Sequence, residues 1–163
     1  MFHMNIGNWG SAISTIIGEN CARLPKCQTN VNMWVFEEMI DVDGHPTKLT
    51  EIINAKHENV KYLPGISLPK NIIAEADLEK ACQDATLLIF VTPHQFLPPL
   101  LKKVKNVVDP QCRGVSLIKG IDFDKETKRP ILISSQIEKA MITSERPSFK
   151  CGVLMGKLII IID

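Results

Sequence analysis

Gly7-Asn8-Trp9-Gly10 matches the end of the pattern G-x-G-x-x-G, with Asn5 standing where the first glycine belongs. Glycines at these places let the main chain approach a pyrophosphate at a helix N-terminus, where N–H groups without intrahelical partners attract anions. Asparagine is the least costly replacement for the first glycine, because it tolerates positive φ better than other side chains. Read alone, the motif fits a glycine-rich turn with no ligand as well as a dinucleotide site. His94 could act as a general base, but no carboxylate stands at a predictable place to orient it, and it is expected to be structural. The five cysteines are scattered, with no C-x-x-C pair and no histidine at zinc-ligand spacing. Reduced, partly buried thiols and no metal site are therefore expected.

The glycine turn needs a strand before it and a helix after it, and the rest of the chain supplies such units in alternation. Val31 to Phe36, Thr86 to Val91, Gly114 to Ile118 and Lys150 to Met155 are short apolar runs with β-branched residues, bounded by turn residues. They read as buried strands, and Asn71 to Ala74 adds a further short one. Helical spacing covers Ser11 to Leu24, Thr47 to Ala55, Leu78 to Asp84, Leu97 to Val107 and Ile131 to Met141. Pro98-Pro99 falls in the first turn of its helix, where a missing N–H costs nothing. The run Asp122 to Arg129 alternates charge and reads as a solvated loop. Strands alternating with helices imply βαβ units, hence an α/β fold with a doubly wound, mostly parallel sheet.

The chain has 163 residues, which suits one domain. Its 45% hydrophobic and 23% charged residues place it with globular rather than disordered chains. A formal charge of +1 argues against a surface that neutralises nucleic acid or an anionic membrane. The longest apolar runs, Leu87 to Val91 and Leu158 to Ile162, fall far short of a membrane span. Without a secretory-type start, the expected address is cytoplasmic.

Gly7-Asn8-Trp9-Gly10-Ser11-Ala12, Met33-Trp34-Val35-Phe36-Glu37-Glu38, His57 to Gly65 (HENVKYLPG), Pro93-His94-Gln95-Phe96 and Ser116-Leu117-Ile118-Lys119-Gly120 follow one another in this order. From about Gly7 to Gly156 the chain closely resembles the N-terminal domain of the cytosolic NAD-dependent glycerol-3-phosphate dehydrogenases. The resemblance implies a Rossmann-like fold, NAD as cofactor, and hydride transfer between NAD(H) and glycerol 3-phosphate or dihydroxyacetone phosphate. It implies that Gly7, Asn8, Trp9 and Gly10 hold the pyrophosphate, that Phe36 lies against the adenine end, and that Phe96 shapes the cofactor groove. It puts the family's substrate-contacting lysine at Lys119.

The sequence departs from the family pattern in three places. Only Met1 to Ile6 precede Gly7, so the first strand is expected to be missing or reduced to a stub, leaving its neighbours at the sheet centre without a partner. Met155-Gly156 is followed by Lys157 rather than the family's Ala-Asn, and Leu158 to Asp163 match nothing in it. The family's helical domain, with its catalytic lysine, its substrate-phosphate arginine and most of the homodimer contact, is expected to be absent. The expected organisation is an incomplete NAD-binding domain at 1–156 and a non-family tail at 157–163, with no catalytic residue of its own. Two readings follow: the cofactor-binding half of an oxidoreductase, or a truncated, non-catalytic nucleotide-binding module. Gly156-Lys157-Leu158 can be encoded with a splice-donor-like GTAAGT, so the second reading includes a splice or gene-model fragment, and it is the one favoured for the chain as given.

Overall fold

The computed structural model describes residues 2–5, 7–25, 27–118, 121–123 and 127–154. In its first half the elements run β1 (Phe2–Asn5), α1 (Asn8–Arg23), β2 (Val31–Val35), β3 (Met39–Val42), β4 (His45–Lys48), α2 (Leu49–Lys56) and β5 (Ile72–Glu75). There follow α3 (Leu78–Cys82), β6 (Leu87–Phe90), α4 (Leu97–Val104), β7 (Arg113–Ser116), β8 (Ile121–Phe123), β9 (Pro130–Leu132), α5 (Ile133–Met141) and β10 (Cys151–Val153). Six of the strands form one sheet in the order β10-β7-β6-β1-β2-β5, all neighbours parallel. The order reverses beside β1, as in a doubly wound fold.

Strands β2 and β6 are largely apolar runs too short to be helices, and both are buried along most of their length. In β2, Val31, Met33 and Val35 turn to one face and pack with Cys21 of α1 and with Leu49 and Ile53 of α2. Trp34 turns to the other, where Leu88 and Phe90 of β6 meet apolar residues of α3, α4 and α5. Helix α1 buries a stripe of small residues, Gly10, Ser11, Ser14 and Gly18 ahead of Cys21. That stripe brings it close: a Cβ on Gly18 would stand 2.9 Å from Ile72 Cδ1 and 3.0 Å from Pro69 Cβ. Helix α3 starts on Asp77, whose carboxylate accepts the N–H groups of Glu79 and Lys80. Pro98 and Pro99 sit in the first turn of α4, as their chemistry requires.

Of the two alternatives for the first strand, missing or a stub, a short strand is what the chain forms. β1 has four residues, as do β5, β6 and β7. It pairs with β2 from Phe2↔Asn32 to Asn5↔Val35 and with β6 from Phe2↔Leu88 to Met4↔Phe90. The expectation that its neighbours lose their central partner is thereby corrected. Short parallel strands need only about four residues each to complete such a ladder.

Two antiparallel ribbons, β3–β4 and β8–β9, lie outside the main sheet. The second corrects the reading of Asp122 to Arg129 as loop throughout, since Asp122 and Phe123 pair with Ile131 and Pro130. No described helix is long and apolar enough to cross a membrane. The tail at 157–163 lies outside the described residues.

Candidate functional site

Because all six strands run the same way, their C-terminal ends share one edge, and a crevice opens there where the strand order reverses. The turn from β1 into α1 lies at its centre. Gly7 is the N-cap of α1, with φ 103°, and among the described residues no atom beyond its chain neighbours lies within 4 Å of where its Cβ would be. Only glycine adopts this conformation without strain, and the space above the turn stays open. The positive φ of the turn thus falls on Gly7. Asn5, discussed above for its tolerance of positive φ, is instead the last residue of extended β1, in register with Val35.

Helix α1 is 16 residues long, with no side-chain cap at its start and no acidic residue in its first turn. Among the described residues no side chain caps its leading N–H groups, which leaves them and the positive end of the helix dipole for an anion. Asn8 and Trp9 are exposed and Gly10 is buried against the sheet.

On one side of this turn Trp9, Val91, Thr92, Pro93, His94, Leu117 and Ile118 line a hollow of about 380 Å³. The other, of about 500 Å³, lies at the β2 end and is lined by Trp34, Phe36, Glu37, Ala76, Asp77, Leu78, Glu79, Leu100 and Lys103. Phe36 is 63% exposed and Phe96 46% exposed, so neither is a core residue. Phe96 caps α4 immediately after a turn of 3-10 helix, His94–Phe96. Lys119 lies outside the described residues.

A dinucleotide is tested against this crevice by three features. The open turn at Gly7 and the uncompensated start of α1 suit a pyrophosphate. Exposed aromatic faces at Trp9, Phe36 and Phe96 suit flat rings. Thr92 is fully buried at the end of β6, and its Oγ1 has no hydrogen-bond partner among the described residues. A buried hydroxyl without a partner is costly, and this one borders the first hollow. The residues present fit the group.

Past Phe36 come two carboxylates, both committed to protein partners. Glu37 accepts from the N–H and the hydroxyl of Thr50 at the start of α2. Glu38 accepts from the ammonium of Lys61 and the hydroxyl of Tyr62. The Lys61 bond first, then the Tyr62 bond, holds Glu38 below the usual carboxylate range. The same contacts raise Lys61 and Tyr62 above their ordinary values. His94 is exposed at the rim of the first hollow. Among the described residues no cluster of three or more His, Cys, Asp or Glu could hold a metal ion.

Thr92 and the two glutamates escape sequence reasoning. Thr92 could have been noticed as a hydroxyl ending the apolar run Leu87 to Val91. Glu37 and Glu38 are acidic residues at the end of the second strand, a position with ribose-binding precedent in dinucleotide folds.

The sequence model for the N-terminus of NAD-dependent glycerol-3-phosphate dehydrogenase matches residues 4–159. The chain belongs to this family. It is 49% identical over 150 residues to the glycerol-3-phosphate dehydrogenase 1-like protein of Xenopus tropicalis, an alignment covering 92% of this chain and 39% of that protein. To the human cytoplasmic glycerol-3-phosphate dehydrogenase [NAD(+)] it is 47% identical over 150 residues, covering 92% and 40%. The solved glycerol-3-phosphate dehydrogenase of Saccharomyces cerevisiae superposes with a TM-score of 0.79 at 42% identity, covering 97% of this chain and 42% of that one. That of Plasmodium falciparum superposes with a TM-score of 0.78 at 33% identity, covering 94% and 39%. The chain therefore spans roughly two fifths of the length of its relatives, the part that carries the Rossmann-like domain of a family whose cofactor is NAD.

Proposed function

We propose that these residues are the cofactor-holding part of an NAD-dependent glycerol-3-phosphate dehydrogenase, with residues 1–156 as the NAD-binding domain and 157–163 as a tail whose first three residues still fall within the family match. The observation that carries the proposal is the open Gly7 turn at the N-terminus of α1, set where the order of a parallel sheet reverses. Gly7, Asn8, Trp9 and Gly10 hold the pyrophosphate through main-chain N–H groups. Phe36 takes the adenine end, and Phe96 shapes the groove between the two hollows. Trp9 and Pro93 wall the hollow on the nicotinamide side, where Thr92 offers its hydroxyl. When bound, NAD supplies the hydride acceptor. Lys119, a cation beyond the end of β7, holds the phosphorylated three-carbon substrate, glycerol 3-phosphate or dihydroxyacetone phosphate.

Proton transfer and the grip on the substrate phosphate belong, on this reading, to a part of the protein outside these 163 residues. Positioning and proton transfer together supply much of a hydride-transfer enzyme's rate, so the chain alone is expected to bind cofactor without turnover. A cytoplasmic location is proposed with it, in keeping with the cytoplasmic relatives of human and Drosophila virilis. Titration of the chain with NADH, followed by fluorescence, tests the proposal. Saturable binding that Gly7→Val abolishes supports it, and a folded chain that binds no NADH refutes it.

A further inference from the structure

The segment between α2 and β5 has no part in the function proposed above, yet it is built with care. His57 closes α2 in the left-handed region, its carbonyl accepts the N–H of Leu68 at 2.6 Å, and Glu58 bridges to Ser67. Glu58 also accepts the N–H of Gly65 at 2.7 Å. The segment is thus a loop tied shut at its neck. Inside it sits Asn59, only 1% exposed.

An amide taken out of water must satisfy both its ends. Asn59 Nδ2 donates to Ser11 Oγ at 2.9 Å, and Asn59 Oδ1 accepts the N–H of Tyr62 at 3.2 Å. Ser11 stands in the first turn of α1, and its hydroxyl lies 3.4 Å from the Gly7 carbonyl. On the opposite side of the loop, Tyr62 and Lys61 both donate to Glu38, two residues beyond Phe36. One loop therefore grips the glycine turn and the tip of β2 together. These are the two places that must be in register for a single dinucleotide to touch both.

We propose that Asn59 is a positioning residue for the cofactor: through Ser11 it sets the aim of the first N–H groups of α1, relative to a β2 tip held by Tyr62 and Lys61. The inference rests on the NAD reading above. A loop that merely added stability would affect every ligand alike, or none. A loop that aims the N–H groups affects only ligands that carry a pyrophosphate.

The test compares NADH, ADP-ribose and adenosine as ligands of the 163-residue chain, followed by two-dimensional NMR. Wild type, Asn59→Ala, Ser11→Ala and the double variant are titrated, each with its thermal melt recorded. Asn59→Ala should weaken NADH and ADP-ribose by about tenfold, the scale of one lost hydrogen bond, while adenosine shifts by less than about twofold. Ser11→Ala, the smaller change, should show the same split even if Asn59→Ala fails to fold. The double variant should add little to either. An equal loss for all three ligands, or no loss for any, overturns the positioning role. A folded wild type that binds none of the three overturns the NAD reading, and this inference with it.

Discussion

Glu37 receives the main-chain N–H of Thr50 at 3.1 Å and its hydroxyl at 2.6 Å, so the residue after Phe36 closes the start of a helix thirteen positions further on. Lys48, the N-cap of α2, provides no side-chain capping bond of its own. A carboxylate brought in from a strand tip fills that place, where it also faces the positive end of the helix dipole. Glu37→Ala is expected to lower stability by about 1 to 2 kcal/mol. Urea unfolding checks this, and an unchanged midpoint would mean that water serves Thr50 equally well.

Arg146 is buried without a carboxylate partner among the described residues. Its guanidinium donates to the carbonyls of Met141, Lys105 and Asp109, and so gathers the last turns of α5 and α4. Burial lowers its pKa, but an arginine keeps its charge in proteins, and the carboxyl ends of two helices stabilise that charge. Arg146→Met strands those carbonyls and should cost about 3 kcal/mol, read as a lower denaturation midpoint. A loss below about 1 kcal/mol would show that the carbonyls find other donors.

The Glu38, Lys61 and Tyr62 group fixes a pH dependence. Glu38 is lowered on folding, so its contribution is complete above the ordinary glutamate pKa of about 4.3 and is lost as pH falls through the lower folded value. Lys61 and Tyr62 are raised, so theirs is complete below their ordinary values of about 10 and is lost as pH climbs through the raised ones. The stability difference between wild type and Glu38→Gln should be flat from about pH 5 to 9 and shrink on either side. Added salt should diminish it, because the group is solvent-facing. A difference that grew towards acid would contradict the assigned partners.

Four of the five thiols are buried and Cys27 is half-exposed. Burial pushes Cys112 up to about 11 and Cys151 up to about 12, and it raises Cys82 as well. Cys21 is raised by burial and then by its neighbour Cys27. Thiolate is the reactive form, so Ellman's reagent should titrate one cysteine in the native chain and all five in guanidinium. Rapid reaction of a second thiol in the native chain would mean that the fold opens locally.

Strands β2 and β6 are legible because they are buried, nearly continuous apolar runs, whereas β1 (FHMN) carries no such run. Val31 to Phe36 and Thr86 to Val91 exceed the strands they form by only one or two residues. Helix α1 was read from Ser11 and begins at Asn8, since helical periodicity cannot show itself within the glycine turn. The ribbon β3–β4 was missed although its turn is written in the sequence: Asp43-Gly44 takes positive φ at both residues, as a tight hairpin requires. Its strands are largely exposed and mixed in polarity, so no apolar run marks them. In the crevice, the glycine turn and the exposed Phe36 and Phe96 lie in local motifs. The roles of Thr92, Glu37 and Asn59 arise from tertiary contacts, and Asn59 meets Ser11 across 48 positions of chain.

The central strand of the sheet is made from the opening residues of the sequence, and Phe2 stands opposite both Asn32 and Leu88. As the chain is synthesised, β1 can pair with β2 early, but its other edge must wait until β6 has been made. Joining those edges closes a long loop before any contact across it is gained, and such closures slow folding. Until β6 reaches β1, one side of the middle strand is an open edge on which another molecule could build.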